Sequence, residues 1–245
     1  MKIKYFISYF SLLSVLGANA QNSKQALQHI EKAQHVNEIT KSEPFLAPKI
    51  GFEQKNRTEN DTIPGMYWDF ADGFPADWTR ADQSIGQIGG WQYTTTAPQG
   101  QFSTTIPRIN STSRDNGFMI LDGDYYNPGT PPGEVKMNAY MQTPVLDLSN
   151  YTDVKLHFQY YFRFCCNANE IKMNLGISAD GGNTFTNIDF RDGLPVNLQS
   201  ENAINKNINI SALAAGQENV VIRFHVSDAS HYFWMIDDVA ITQSA

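Results

Sequence analysis

The run Tyr232-Phe233-Trp234-Met235-Ile236-Asp237-Asp238-Val239-Ala240-Ile241 decides how the rest of the chain is read. Its bulky apolar residues, Phe233 and Trp234 among them, demand burial. Val239 and Ile241 then resume the period-two alternation of a half-buried strand. Two adjacent carboxylates interrupt the pattern. A buried, unpaired Asp is costly, so the pair must find donors, a metal or water. Neighbouring strand residues point to opposite faces, so Asp237 and Asp238 are not expected to face the core together.

The same alternation recurs upstream. Val154, Leu156, Phe158, Tyr160 and Phe162 fall on one face, with Lys155, His157, Gln159, Tyr161 and Arg163 on the other. That is the pattern of an antiparallel strand with one core face. Ile171, Met173, Leu175 and Ile177 repeat it, as do Val220, Ile222, Phe224 and Val226. Asp180-Gly181-Gly182-Asn183 predicts a tight hairpin turn. From Tyr67 onward the pattern gives about nine or ten short strands and no long helix. Two antiparallel sheets packed face to face bury such strands most economically.

The closing run resembles the last strand of secreted jelly-roll modules of the MAM and choice-of-anchor J type, which are similar to the cleaved-adhesin modules of bacterial surface proteins. Further motifs follow in the order that family places them. Gly73-Phe74-Pro75-Ala76-Asp77-Trp78-Thr79 resembles its opening, and Ser111-Thr112 before Asn116-Gly117-Phe118 its approach to a buried strand. Thr143-Pro144-Val145-Leu146-Asp147-Leu148-Ser149 and Asp180-Gly181-Gly182 match two later steps, with Phe185 standing where a Trp is usual and kept as an aromatic core residue. The resemblance implies an all-β, antiparallel two-sheet jelly-roll sandwich from a Bacteroidota-type secreted or cell-surface protein. It also implies a non-catalytic recognition module for adhesion or for binding an extracellular glycan or protein. Such modules often hold a structural calcium where the end strands meet, which carries over to Asp69, Asp72 and Asp238. The competing expectation is that Asp237 or Asp238 accepts backbone N–H bonds and fixes the strand's end.

The N-terminus has a different character. Lys2 and Lys4, an apolar run from Tyr5 to Leu16, and Ala18-Asn19-Ala20 before Gln21 form the three parts of a signal peptide, with an apolar run too short to span a bilayer. Residues 1–20 are thus read as a signal peptide, 21–62 as a linker or pro-segment, and 63–245 as the jelly-roll domain. No membrane span is expected in the mature form. A formal charge of -7 and the lack of a Lys/Arg cluster exclude nucleic acid as the partner. The two cysteines, Cys165 and Cys166, are adjacent. Strand neighbours point apart, so one thiol is expected in the core and one near the surface, unless a turn brings them together.

Motifs of familiar enzymes are missing. There is no Gly-x-Ser-x-Gly, no His-Glu-x-x-His and no phosphate-cradling glycine loop. His157 and His225 fall on the polar positions of alternating strands. Asp122 to Gly133 reads as a loop rich in Gly and Pro. Binding residues gather on loops held by rigid sheets, so Tyr125, Tyr126 and Asn127, with His231 beside Trp234, are the expected ligand-binding residues. The alternative function is a secreted hydrolase, or an accessory domain of one, with a site built on loop carboxylates such as Asp122 and Asp124.

Overall fold

The computed structural model describes residues 61–127, 135–166, 171–189, 191 and 193–243. The expected signal peptide and nearly all of the expected linker lie outside them. Eleven strands are present among the described residues: β1 (Thr62–Trp68), β2 (Thr79–Asp82), β3 (Gln92–Thr94), β4 (Phe118–Asp122), β5 (Met137–Gln142), β6 (Val154–Phe164), β7 (Lys172–Ser178), β8 (Thr186–Asp189), β9 (Ile204–Asn209), β10 (Val221–Ala229) and β11 (Tyr232–Gln243). Two single-turn helices, α1 (Gly123–Tyr126) and α2 (Ser211–Ala214), punctuate them. The result is an all-β sandwich of two antiparallel sheets, as the alternating strands require. A six-stranded sheet runs β3-β4-β11-β6-β9 with β1 also on β11, and a five-stranded sheet runs β2-β5-β10-β7-β8.

The quoted run is the spine of the larger sheet. Its whole length pairs with β6, from Tyr232↔Phe164 to Gln243↔Val154. Its other edge is shared end to end: β4 pairs with Phe233–Ile236, and β1 with Val239, Ala240 and Thr242. Trp234, Ile236, Val239 and Ile241 enter the core between the sheets, where Trp234 meets Trp91 at 5.0 Å and Phe224 at 6.2 Å between ring centroids. These edge-to-face contacts add to what burying the rings contributes.

Inward positions change phase from even to odd between Ile236 and Val239. A β-bulge causes this: Asp237 pairs with Gln159 and Ala240 with His157, so three steps along β11 match two along β6. Asp238 sits in the left-handed region, at φ 50°. The strict alternation expected of the two carboxylates therefore fails, and both turn to the same side of the sheet.

That side is not open. The segment before β4 folds back over it, and Ile106 and Ile109 pack on Phe118, Ile120, Tyr161, Phe233 and Met235 as a second apolar cluster. Tyr161, placed by periodicity on the polar face, is buried beneath this cover. The cysteines also depart from expectation. Cys165 and Cys166 are bonded to each other, with Cys165 buried and Cys166 exposed. They lie just past the end of β6, where the chain bends and adjacent side chains are no longer held apart.

Candidate ligand-binding site

The bulge carboxylates form a latch. Asp237 Oδ2 accepts from Ser111 Oγ at 2.5 Å and from Ser113 Oγ at 3.2 Å. Asp238 accepts from Tyr67 Oη at 2.7 Å, Ser113 Oγ at 2.9 Å, Thr112 N at 3.1 Å and Ser113 N at 3.2 Å. One hydroxyl thus meets both carboxylates, and strand β1, strand β11 and the covering segment are tied at one point. Burial pushes the Asp237 carboxyl up to about 7; its bond from Ser111 opposes this, and the neighbouring Asp238 charge adds to it.

The expected calcium ligands do not converge here. Asp69 accepts from Ala71 N at 3.2 Å and from Asn116 Nδ2 at 3.1 Å, and Asp72 is exposed. Among the described residues no group of three His, Cys, Asp or Glu side chains is placed to hold a metal ion. Calcium takes about six to eight oxygen acceptors, whereas Asp238 is ringed by N–H and O–H donors. The Asp238 carboxylate is held by hydrogen bonds from these donors.

A second buried pair anchors the end of β4. Asp122 accepts from Gln99 N at 2.6 Å and caps α1 through Tyr125 N at 3.3 Å. Burial raises its carboxyl above the usual range, against the pull of those N–H bonds. Asp124 is 0% exposed; its oxygens accept from Ser103 Oγ at 2.5 Å and Tyr232 N at 2.8 Å. These carboxylates hold the loops onto the sheet and present no face to a substrate.

The residues expected to bind ligand are mostly occupied in the same anchor. His231 is buried, with Nδ1 3.5 Å from Asp124 Oδ1 and its ring edge-to-face with Phe102 at 5.2 Å. Asn127 is buried too: its Nδ2 donates to Val135 O at 2.8 Å and Ser230 O at 2.9 Å. Tyr126 lies so close to Gly89 that a Cβ there would come within 2.1 Å of its ring. Only Tyr125, 60% exposed, faces solvent freely. Residues 128–133 of the loop lie outside the described residues. The void beneath His231, lined by Leu121, Phe164, Met173 and Trp234 among others, measures ≈ 20 Å³. That is room for about one water, not a sugar ring.

A different surface brings functional groups together. On the outer face of the five-stranded sheet, β5 presents Asn138, Tyr140 and Gln142, β10 presents Arg223, His225 and Ser227, and β7 presents Lys172, Asn174 and Gly176. Register sets them in rows: Tyr140, His225, Asn174 and Asp189 across one line, Gln142, Arg223, Gly176 and Asn187 across the next. The groups hold one another. His225 Nε2 lies 2.7 Å from Asn138 Oδ1, and Arg223 Nε donates to Gln142 Oε1 at 2.7 Å. The Arg223 guanidinium lies against two rings, its Cζ 3.8 Å from the centroid of Phe185 and 4.2 Å from that of Tyr140.

Gly176 makes this stack possible. Phe185 lies across it, and a Cβ at 176 would come within 2.9 Å of the ring. Phe185 is therefore an outer-face residue and not the core aromatic expected from its motif. Burial, with the Arg223 charge close by, depresses the His225 imidazole below its usual value, which keeps it neutral at pH 7. Sequence reading passed over this surface because it treated the polar half of each alternating strand as solvated. The signal was there in composition: most of those positions carry Asn, Tyr, Gln, Arg and His.

No protein-family model and no curated protein matches the chain. Among solved structures it is similar to two cleaved adhesin domains of Lys-gingipain from Porphyromonas gingivalis W83. The K1 domain is 21% identical at a TM-score of 0.43, covering 74% of this chain and 98% of that one; the K3 domain is 20% identical at 0.45, covering 74% and 99%. It is also similar to the carbohydrate-binding module TmCBM61, solved in complex with beta-1,4-galactotriose, at 13% identity and a TM-score of 0.39, covering 78% of this chain and 99% of that one.

Proposed function

We propose that the domain is a non-catalytic recognition module, that it binds an extracellular glycan, and that it does so on the outer face of the five-stranded sheet. The observation that carries this is the interlocked row of side chains on β5, β10 and the β7–β8 edge: Asn138 with His225, Gln142 with Arg223, and Tyr140 and Phe185 about the guanidinium. Sugars are recognised by ring faces and by planar amide, imidazole and guanidinium groups held in fixed positions. Strands hold such groups more rigidly than loops do. The groups lie on a broad sheet, which suits a chain laid along the surface. The signal-peptide pattern at residues 1–20 supports an exported protein that meets glycans outside the cell. The reading does not depend on a structural calcium at Asp69, Asp72 and Asp238.

The test is binding to a glycan array by the wild type and by the variant Tyr140→Ala, His225→Ala. Loss of a specific wild-type signal in the variant, with an unchanged melting temperature, supports the site. Binding that persists in the variant, and disappears instead on Tyr125→Ala, moves the site to the α1 loop.

A further inference from the structure

Among the described residues no carboxylate is hydrogen-bonded or ion-paired to Arg223. We propose that its guanidinium binds an anionic substituent, a carboxylate or a sulfate, on the glycan that lies on this sheet face; the proposal rests on the recognition reading above.

Of the acids near this face, Asp189 and Asp82 are committed elsewhere, while Asp228 acts on His225. Asp189 pairs with Arg191, whose Nη2 lies 2.5 Å from Oδ2. Asp82 accepts from Ser84 N at 2.8 Å and Gly89 N at 2.7 Å, turned into its own loop. Among the described residues the one acceptor for Arg223 is Gln142. A guanidinium carries five N–H groups, all in its plane. Here the rings of Phe185 and Tyr140 both lie against the guanidinium, and its hydrogen bonds leave from its edge. Nε is used by Gln142, so the Nη edge remains for a ligand. Carboxylate and sulfate present two oxygens at the spacing of that fork.

The group is also preorganised. Phe185, Tyr140 and Gln142 all contact the side chain, and Gly176 clears the space for Phe185. Burial holds the guanidinium below its ordinary value, so its charge is already partly stripped of water. An anion arriving there meets a fixed, desolvated donor pair and gains more than it would from a free surface arginine.

The surroundings favour a sugar over an acidic peptide. Asn138, Tyr140, Gln142, Asn174 and His225 flank the cation, and all are neutral or hold little charge at pH 7. A guanidinium flanked by neutral planar groups fits a uronate or a sparsely sulfated sugar. With a net charge of -7 the protein has no general field for polyanions, so attraction must be local.

The experiment is calorimetric titration of the intact protein with matched ligands: polygalacturonate against its methyl ester, a sulfated galactan against its desulfated form, and polyglutamate. We expect one acidic glycan to bind about 10- to 100-fold tighter than its neutral partner. Which pair shows the gap tells carboxylate from sulfate. Arg223→Gln should erase the gap between the acidic and neutral forms, even where it weakens binding of both, and Arg223→Lys should restore only part of the gap, since it returns the charge without the fork. Equal affinity for acidic and neutral forms overturns the inference and leaves the recognition reading standing. Binding to polyglutamate alone overturns it in favour of an acidic peptide. No glycan binding of any kind, on the array or here, overturns both.

Discussion

At the scale of single residues, the two adjacent carboxylates of β11 share neighbours yet face different demands. Asp238 is met by four donors, whereas Asp237 is driven by burial toward keeping its proton. A carboxyl whose folded pKa lies above its unfolded value binds more protons in the folded state at intermediate pH. Stability from this group is therefore present below its unfolded value of 3.8 and is lost as pH rises toward about 7. His225 works in the opposite direction, since its depressed value favours the fold as pH rises. Comparing wild type with Asp237→Asn cancels the histidine. We expect the variant to lose the fall in stability between pH 5 and pH 8, and to be the more stable protein at pH 8 by on the order of 1–3 kcal/mol. Urea titrations at both pH values measure this; parallel pH profiles for the two proteins would show that Asp237 ionises normally.

Individual elements show how far periodicity reaches. Strands β6, β7, β10 and β11 were legible because each keeps a bulky residue at every second position across most of its length. The shift from Trp234 and Ile236 to Val239 and Ile241 even marks the bulge, since inward positions change parity there. Strands β2, β3 and β8 carry too few residues for a period to stand out, and they exist because β5, β4 and β7 offer them edges. The segment over the larger sheet has no period at all: Ile106 and Ile109 are fixed by what lies beneath them. The candidate site was hidden for a related reason. Which polar residues adjoin depends on strand register, and Arg223 meets Phe185 only through the glycine of a third strand. We expect Gly176→Ala to lift Phe185 from the guanidinium, to destabilise the domain by about 1–3 kcal/mol, and to weaken glycan binding with it. Thermal melts and array binding of this variant check both. A variant with native stability and affinity would show that the stack is not what holds Arg223 in place.

For the whole molecule, stability comes from one large apolar core and from two polar latches that fasten the outer segments to β11. The latches are made of hydrogen bonds between side chains and backbone. Added chelator should leave the melting temperature unchanged within about 1 °C, as expected where no ligand is bound to the native state; a clear drop would restore calcium to the account. The sharing of one edge of β11 by β1 and β4 has a consequence for how the molecule is made. Synthesis delivers β1 first and β11 last, so an emerging chain holds two earlier strands, and β6 besides, without their common partner. The larger sheet can form only after residue 232 and those beyond it have left the ribosome. Until then β1, β4 and β6 lack the one partner that joins them.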